Sequence, residues 1–335
     1  MAAAMPVLVV DLMRRWHPRI QHFLDRTNRN LAGRVAVLSF AFGFCLLLAL
    51  WQGGQPSPTS GWRELGLLAE GPSLQRVTPR DSAELAKLFD AQGYTLERLQ
   101  EGAAVPRLAV ARLPRDIDSL SDVDARKALF LRSLLPLILK GNTEIARIRK
   151  RVVDLLNARV VGSLEAGDAI WLHRVADFYG AEPSDDADIL SRIDLVPASL
   201  ALAQAAQESG WGRSRFARNA NALFGQRVWG DKGPGLAPRD AERDDFRVRA
   251  FPDLMSAVRT YLHNLNSHRA YQDLRDRRAQ ARALGGTANA LHLAGSLTSY
   301  SEEGEVYVKA LRSLINGNDL LALDGLRFEH LPKDS

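Results

Sequence analysis

The sequence predicts a mainly helical protein in which a small β-hairpin lobe flanks a cleft, with one N-terminal transmembrane helix ahead of it. Apolar residues recur at helical spacing through most of the chain after residue 80, which indicates amphipathic helices. Two extended segments, 226–229 and 246–251, enclose a turn-rich stretch with Gly and Pro and predict the hairpin. The uncharged residues 35–51 are just long enough to cross a bilayer.

Composition restricts the classes of function. A hydrophobic share of 46% and a charged share of 25% are ordinary for a globular protein. The net charge of +5 is modest and the basic residues are dispersed, so no nucleic-acid partner is predicted. Cys45 is the single cysteine, which excludes an intrachain disulfide. Without a Cys/His cluster we expect no metal site and no other cofactor.

The N-terminal residues predict the orientation of the membrane segment. Residues 1–34 contain six arginines and two acidic residues. The positive-inside rule places them in the cytoplasm and the chain after residue 51 outside the membrane. A cleaved signal peptide is the alternative, but the segment LALWQGGQPSP offers no A-x-A cleavage site. A retained anchor is therefore favoured.

A linker and a membrane-proximal helical region follow the anchor. Residues 52–61 (QGGQPSPTSG) have the composition of a flexible linker. Within the region 62–157 a helix is expected at 82–92, and a longer one covers 122–157. We expect a break in the longer helix at Pro136, because proline removes an intrahelical hydrogen bond.

The chain then continues as predicted helices on both sides of the hairpin lobe. A helix is expected at 166–179, before the lobe. After the lobe, the apolar spacing predicts helices at 254–265, 271–284, 288–297 and 303–316. A helical lobe that faces a small β lobe forms a concave surface, which is the shape that a polysaccharide strand needs.

The most informative helix is predicted to begin with Pro197 at its first position. Its residues 198–206 are apolar on every side, which is typical of a buried helix. Glu208 comes near the helix end, just before Gly210, which suits a left-handed terminating residue. The negative end of the helix dipole and a drying Trp211 ring should raise the pKa of Glu208, as a general acid requires.

This helix and the loop after it carry a family resemblance. The run AQAAQESGWGRSRFARNANALFG resembles the core signature of the bacterial glucosaminidase family of peptidoglycan hydrolases, similar to glycoside hydrolase family 73. Further matching blocks lie at 251–271 and 300–314. Upstream, FLRSLLPLILKGNTEIARIRKRV resembles the Bax-type bacterial envelope proteins. Together the resemblances cover roughly residues 130–324.

The resemblance implies a lysozyme-like catalytic domain at 158–324, followed by a C-terminal tail at 325–335. It implies cleavage of the β-1,4 bond after N-acetylglucosamine in peptidoglycan, with Glu208 as the acid. The family places a second acidic residue in the β lobe, where Glu242 is our choice among four acids. If no second carboxylate approaches, the substrate's own acetamido group could act as the nucleophile.

Several other residues are predicted to contact the sugar. Tyr307 matches a family tyrosine near the catalytic glutamate, although a core aromatic is the structural alternative. Asn221 either bonds an N-acetyl group or holds the loop, since asparagine tolerates positive φ. The remaining predicted substrate-binding residues are aromatic: Trp211, Phe224, Trp229 and Tyr300.

Two other functions stay open at this point. A lytic transglycosylase or muramidase also ends its helix in a Glu-Ser pair, but a glycine-rich segment normally follows where this chain has ALFGQ. A non-catalytic wall-binding scaffold would keep the cleft without turnover. We expect a single-pass protein of the bacterial inner membrane with its catalytic domain in the periplasm, which binds glycan strands. Its membrane-proximal region could bind envelope proteins.

Overall fold

The computed structural model describes residues 58–66, 73–229, 234–237, 246–301 and 303–329. The predicted cytoplasmic segment, the predicted anchor at 35–51 and Glu242 lie outside these residues. Within the described part of the chain, no helix combines the length and the apolar character needed to span a bilayer.

The first elements form a small region around a two-stranded parallel sheet. Strand β1 pairs with β2 in parallel, with Gln75 opposite Leu108. Asp81 caps the second helix, because its side chain accepts a hydrogen bond from the Glu84 amide. The first helix begins at Pro58, so the expected linker does not extend to residue 61. In chain order the elements are α1 (Pro58–Glu64), β1 (Gln75–Val77), α2 (Ser82–Ala91), α3 (Leu96–Gln100) and β2 (Leu108–Val110).

The longest helix, α4 (Val123–Val160), has 38 residues and runs through Pro136 without interruption. The predicted break at Pro136 is therefore wrong. Proline cannot donate to the carbonyl four residues earlier, which belongs to Arg132. The hydroxyl of Tyr94 donates to that carbonyl at 3.1 Å. A tertiary hydrogen bond thus replaces the missing helical one, and burial of Pro136 holds the helix together.

Helix α4 also crosses the boundary expected at residue 157. A single hydrophobic cluster contains Trp62 and Leu85 from the early region together with Leu200 and Leu311 from the later helices. The chain after residue 325 returns to the early region, where Val105 donates its amide to the carbonyl of Arg327 at 2.8 Å. The region 62–157 and the later helices therefore share one core.

The later part consists of short helices and one small sheet. Helix α5 has the predicted bounds, and α7 begins one residue after Pro197, which precedes the helix rather than opening it. The predicted hairpin is a three-stranded antiparallel sheet in the order β3-β5-β4. The helices before the sheet are α5 (Ala166–Tyr179), α6 (Asp186–Arg192), α7 (Ala198–Ser209) and α8 (Arg215–Ala220). The strands are β3 (Arg227–Trp229), β4 (Gly235–Leu236) and β5 (Phe246–Arg249).

Four helices after the sheet complete the described structure. They are α9 (Leu254–Ser267), α10 (Gln272–Ala283), α11 (Ala290–Ala294) and α12 (Glu305–Gly317). The apolar helix α7 lies at the centre and packs against α4, α11 and α12. The prediction of a mainly helical fold is confirmed, and the central position of α7 explains why its residues are apolar on every side.

Candidate active site

A tight turn positions Glu208 at the end of α7. Gly210, Trp211 and Gly212 all have left-handed backbone conformations, with φ of 58°, 59° and 79°. A side chain at Gly212 would place its Cβ 2.8 Å from Leu113 and 3.2 Å from Phe130. Glycine is therefore required there by backbone angle and by space. The turn closes directly against the region 62–157 and ends the helix where the Glu208 carboxyl leaves the core.

The environment of Glu208 suits a proton donor. Its side chain is half-buried, and the hydroxyl of Tyr307 is hydrogen-bonded to its carboxyl group. Burial raises the pKa of Glu208 to about 7, against the lowering effects of the Tyr307 hydrogen bond and the charge of Arg227. The negative charge of Glu303 acts in the raising direction. The predicted rise in this pKa is confirmed.

Trp211 has a structural role in the turn. Its ring packs edge-on against Phe130, with ring centroids 5.8 Å apart. The ammonium group of Lys127 lies 5.4 Å from its centroid. These contacts anchor the turn to α4. Two roles of Trp211 stay predictions: exclusion of water from Glu208 and contact with substrate.

A buried chain of hydrogen bonds leads to Glu208 from α9. The hydroxyl of Tyr261 donates to Oε1 of Gln204 at 2.7 Å, and Nε2 of Gln204 donates to the oxygen of Tyr307 at 3.2 Å. The proton of the Tyr307 hydroxyl is then free to be donated to the Glu208 carboxyl. Gln204, Tyr261 and Tyr307 are all at most 2% exposed. Burial of the three side chains away from water strengthens these hydrogen bonds and holds the groups in place.

Sequence reasoning missed the role of Gln204 and Tyr261. A signal was present, because Gln204 is the only strongly polar residue in the buried part of α7 and lies one turn before Glu208 on the same face. Tyr261 gave no such signal, since its position fits the apolar face of an amphipathic helix. Only the packing of α9 against α7 brings its hydroxyl to the Gln204 carbonyl.

Two of the predicted aromatic residues are packed into the core or its edge. Phe224 is 3% exposed and stacks on Tyr261, with centroids 3.9 Å apart and planes 10° apart. Because Tyr261 covers one face of the ring and the residue is buried, the structure places Phe224 in the core rather than at the predicted sugar-stacking position. Tyr300 is half-buried, stacks on Tyr307 at 5.4 Å and donates its hydroxyl to the carbonyl of Phe224 at 3.1 Å. Its backbone bond fixes the loop beside Glu208.

Asn221 holds the loop after α8. It has a left-handed conformation with φ of 53°, and its Nδ2 donates to the carbonyl of Phe251 at 2.8 Å. The side chain is only 4% exposed. Of the two alternatives for Asn221, the structure favours support of the loop over contact with substrate.

The β lobe leaves two predicted residues untested. The backbone of Trp229 lies in β3 opposite Phe246 of β5. Glu242 lies outside the described residues, so its predicted role as the second carboxylate stays a prediction.

A cavity of about 360 Å³ opens beside Glu208. On one side it is lined by the end of α7 and the turn that follows. On the other side lies Asp118, from a short 3-10 helix (Ile117–Ser119) of the region 62–157. Its lining residues are Asp118, Glu208, Ser209, Gly210, Arg213 and Ser214. Sequence reasoning did not predict Asp118, because nothing in the local pattern relates residue 118 to residue 208.

Comparisons with known proteins show which chains this protein is similar to. Residues 184–320 match the family model for glucosaminidase, described as mannosyl-glycoprotein endo-β-N-acetylglucosaminidase. Protein bax of Escherichia coli strain K12 is 30% identical over 205 residues, which cover 58% of this chain and 71% of that protein. The catalytic domain of the autolysin Auto from Listeria monocytogenes aligns over 62% of this chain and 92% of its own length, with a TM-score of 0.34 and 14% identity. Glu208 and Tyr307 lie within the matched family range, whereas Asp118 lies before it.

Proposed function

The chain belongs to the glucosaminidase family of glycoside hydrolases, and we propose that it is a peptidoglycan hydrolase that cuts the β-1,4 bond after N-acetylglucosamine. Glu208 is the general acid in this proposal. The observation that carries it is a half-buried carboxyl group, on a cavity, whose pKa is raised to about 7.

The chemistry follows from the burial of Glu208 and from its hydrogen bond with Tyr307. Cleavage of a glycosidic bond requires a proton on the leaving oxygen, so the acid must be protonated near neutral pH. Burial of Glu208 supplies this state by disfavouring its anion. After the proton has left, the Tyr307 hydroxyl donates to the new carboxylate and stabilises it. Tyr307 thus supports the half of the cycle in which Glu208 is ionised, and burial supports the half in which it is protonated.

A second group must stabilise the positive charge that develops on the sugar. We keep Glu242 of the β lobe as the proposed second carboxylate. The acetamido group of the substrate is the alternative nucleophile.

The location and the binding partners are part of the same proposal. Residues 35–51 anchor the protein in the bacterial inner membrane, and the catalytic domain acts on glycan strands in the periplasm. The membrane-proximal region is the part that would contact other envelope proteins.

Substitution of Glu208 tests the proposed function. In the full-length protein we expect Glu208→Gln to lower kcat/KM on purified cell walls by about 10²–10⁴-fold, which is the usual contribution of general acid catalysis. Glu101→Gln, an exposed residue outside the cavity, is the matched control and should digest walls like the wild type. Mass spectrometry of the products should find reducing N-acetylglucosamine ends.

Three other outcomes would contradict parts of the proposal. Equal digestion by Glu208→Gln and the wild type would reject Glu208 as the acid. Anhydro-muramyl products would identify a lytic transglycosylase instead. Wall binding without digestion by the wild type would support the non-catalytic scaffold.

A further inference from the structure

The start of α1 lies only a short way along the chain from the proposed membrane anchor. The anchor ends at residue 51 and α1 begins at Pro58, so residues 52–57 alone separate them. An extended chain spans at most about 3.3–3.6 Å per residue, which places Pro58 within about 25 Å of the bilayer surface. The side of the protein that carries α1 therefore lies towards the membrane. This step rests on the anchor of the proposed function.

Helix α1 is packed onto α5. Trp62 is fully buried, and its ring lies edge-on to that of Phe178 with centroids 6.3 Å apart. The indole N–H of Trp171 donates to the carbonyl of Leu65 at 3.4 Å. Because α1 is part of the core, the chain between the anchor and the core stays short. Helix α5 is therefore held near the bilayer together with α1.

The start of α5 and the end of α4 expose large apolar side chains. Val160 is 80% exposed, Val161 76% and Ile170 63%. Within the described part of the chain, the other large apolar side chains that are exposed are Val123, Leu284 and Val306. Half of this class thus lies within one short stretch, 160–170. Scattered single apolar residues are normal on a surface, whereas a local group is typical of an interaction site.

The residues around this group suit the surface of a phospholipid bilayer. The guanidinium group of Arg151 lies 4.0 Å from the centroid of the Trp171 ring and donates to Asp168 at 3.0 Å. These contacts hold α5 against α4. One turn after Ile170 on the same face, the exposed Arg174 forms no ion pair with any residue that the structure describes. Tryptophan and arginine beside apolar side chains are typical of the headgroup level of a membrane, where a guanidinium group binds phosphate.

We propose that the end of α4 and the exposed side of α5 rest on the phospholipid surface of the membrane that holds the anchor. This lipid face consists of Val160, Val161, Ile170 and Arg174. Its apolar side chains enter the boundary between headgroups and acyl chains, and Arg174 binds a lipid phosphate. Glu165 in the turn is exposed and remains in water, so the contact depends on apolar burial rather than on net charge.

The contact has a consequence for the candidate active site. The turn beside Glu208 packs against the other end of α4, where the rings of Trp211 and Phe130 meet. The helix from Phe130 to Val160 is about 45 Å long at 1.5 Å per residue. A membrane contact at the lipid face therefore leaves the cavity open to glycan strands.

The test measures lipid contact at both ends of α4. The single cysteine of the full-length protein is first replaced (Cys45→Ala), and the protein is placed in phospholipid nanodiscs. In this background Val161→Cys carries an environment-sensitive fluorophore on the lipid face. Val123→Cys carries the same fluorophore at an exposed valine about 55 Å away along the helix. Lipids with a nitroxide group just below the headgroup should quench the label at 161 and leave the label at 123 unchanged.

A charged variant of the lipid face separates a true contact from mere closeness to the membrane. Val160→Glu/Ile170→Glu in the Val161→Cys protein should restore the emission, because carboxylates are expelled from the acyl boundary. Leu284→Glu, which adds a charge at an exposed apolar residue outside the lipid face, is the matched control and should leave the quenching unchanged. Thermal unfolding should be alike in both, since all the substituted positions are exposed.

The outcomes distinguish this inference from the proposed function. Equal quenching at 161 and 123, or full quenching in the charged variant, rejects the lipid face. A blue-shifted but unquenched label at 161 also rejects it and indicates that a protein covers this surface. Digestion of cell walls by the same labelled protein without quenching keeps the hydrolase and rejects the contact, and quenching without digestion does the reverse. Protein that does not co-purify with nanodiscs rejects the anchor and this inference together.

Discussion

Two glutamates in this protein are linked to the same helix, α9, one directly and one through a chain of hydrogen bonds, and they differ in the partners that surround them. Glu144 of α4 is fully buried and accepts two hydrogen bonds from Arg259, at 2.9 Å from Nε and 2.7 Å from Nη2. The ammonium group of Lys140 lies 3.4 Å from the same carboxylate. Glu208 of α7 is hydrogen-bonded to the Tyr307 hydroxyl, and through Gln204 this contact leads to Tyr261 of α9.

The two carboxyl groups differ in the charge of their partners as well as in their burial. Two cations match the negative charge of Glu144, so its contacts join α4 to α9. The phenol beside Glu208 donates a hydrogen bond but brings no full positive charge. Desolvation therefore dominates there and raises the pKa of Glu208 to about 7. Cations beside Glu144 suit a carboxylate that joins two helices. A hydroxyl beside Glu208 leaves the raised pKa that a proton donor requires.

The largest effect is expected when the cationic partner of Glu144 is removed. Arg259→Met should lower the free energy of unfolding by about 3–5 kcal/mol, because it leaves a buried carboxylate without its bidentate partner. Urea unfolding measures this loss. The double variant Glu144→Leu/Arg259→Met should recover most of it. A loss below about 1 kcal/mol would show that the cluster does not hold the two helices together.

An intermediate effect is expected when the phenol beside Glu208 loses its hydroxyl. Tyr307→Phe removes a hydrogen bond that favours the charged carboxylate, so the pKa of Glu208 should rise. The acid works when protonated, and its activity is lost as the pH rises through that pKa. The alkaline limb of the kcat profile should therefore move to higher pH. At pH 7, kcat should fall about tenfold to hundredfold, or about 1.4–2.7 kcal/mol, because the new carboxylate loses its donor.

This result separates a chemical role of Tyr307 from a purely structural one. If Tyr307 only fills space, the variant lowers stability and the alkaline limb keeps its position. The pH of the alkaline limb measured for Arg259→Met is the reference. That substitution lies beside Glu144 rather than Glu208 and should not move the limb.

The smallest effect is expected at the far end of the hydrogen-bond chain. Tyr261→Phe leaves Oε1 of Gln204 without its donor and should lower the free energy of unfolding by about 1 kcal/mol. The alkaline limb should move in the same direction as in Tyr307→Phe, but less. Tyr179→Phe is the matched control, because the buried Tyr179 hydroxyl has no hydrogen-bond partner among the described residues. A Tyr261→Phe variant as stable as this control would show that the chain does not orient Gln204.

Local patterns predicted much of the fold. The caps and apolar spacing of α2, α5 and α9 gave their positions to within a few residues. These signals depend on residues three or four apart, which the sequence shows directly. The end of α7 at Gly210 was predicted for the same reason, because a left-handed residue after a helix is a local feature.

The predictions that proved wrong depended on contacts across the fold. Pro136 continues a helix because Tyr94, far away in sequence, satisfies the carbonyl that proline leaves free. The ring of Phe224 is not available to stack on a sugar, because it packs in the core against the ring of Tyr261. The third strand of the β lobe, β4, pairs with β5, although the two strands are not joined by the two-residue turn that a hairpin pattern shows. None of these contacts produces a periodic pattern in the sequence, so none could be predicted from it.

The sequence by itself determined the central apolar helix, the position of Glu208 at its end and the family to which the chain is similar, because each is encoded by neighbouring residues. The tertiary structure decided what surrounds that carboxyl group: Tyr307 and Gln204 on the buried side, and Asp118 and Arg213 at the cavity. A carboxyl group carries the same chemistry at every position in the chain. Its pKa depends on desolvation and on nearby charges and donors, and only the packed fold brings these together.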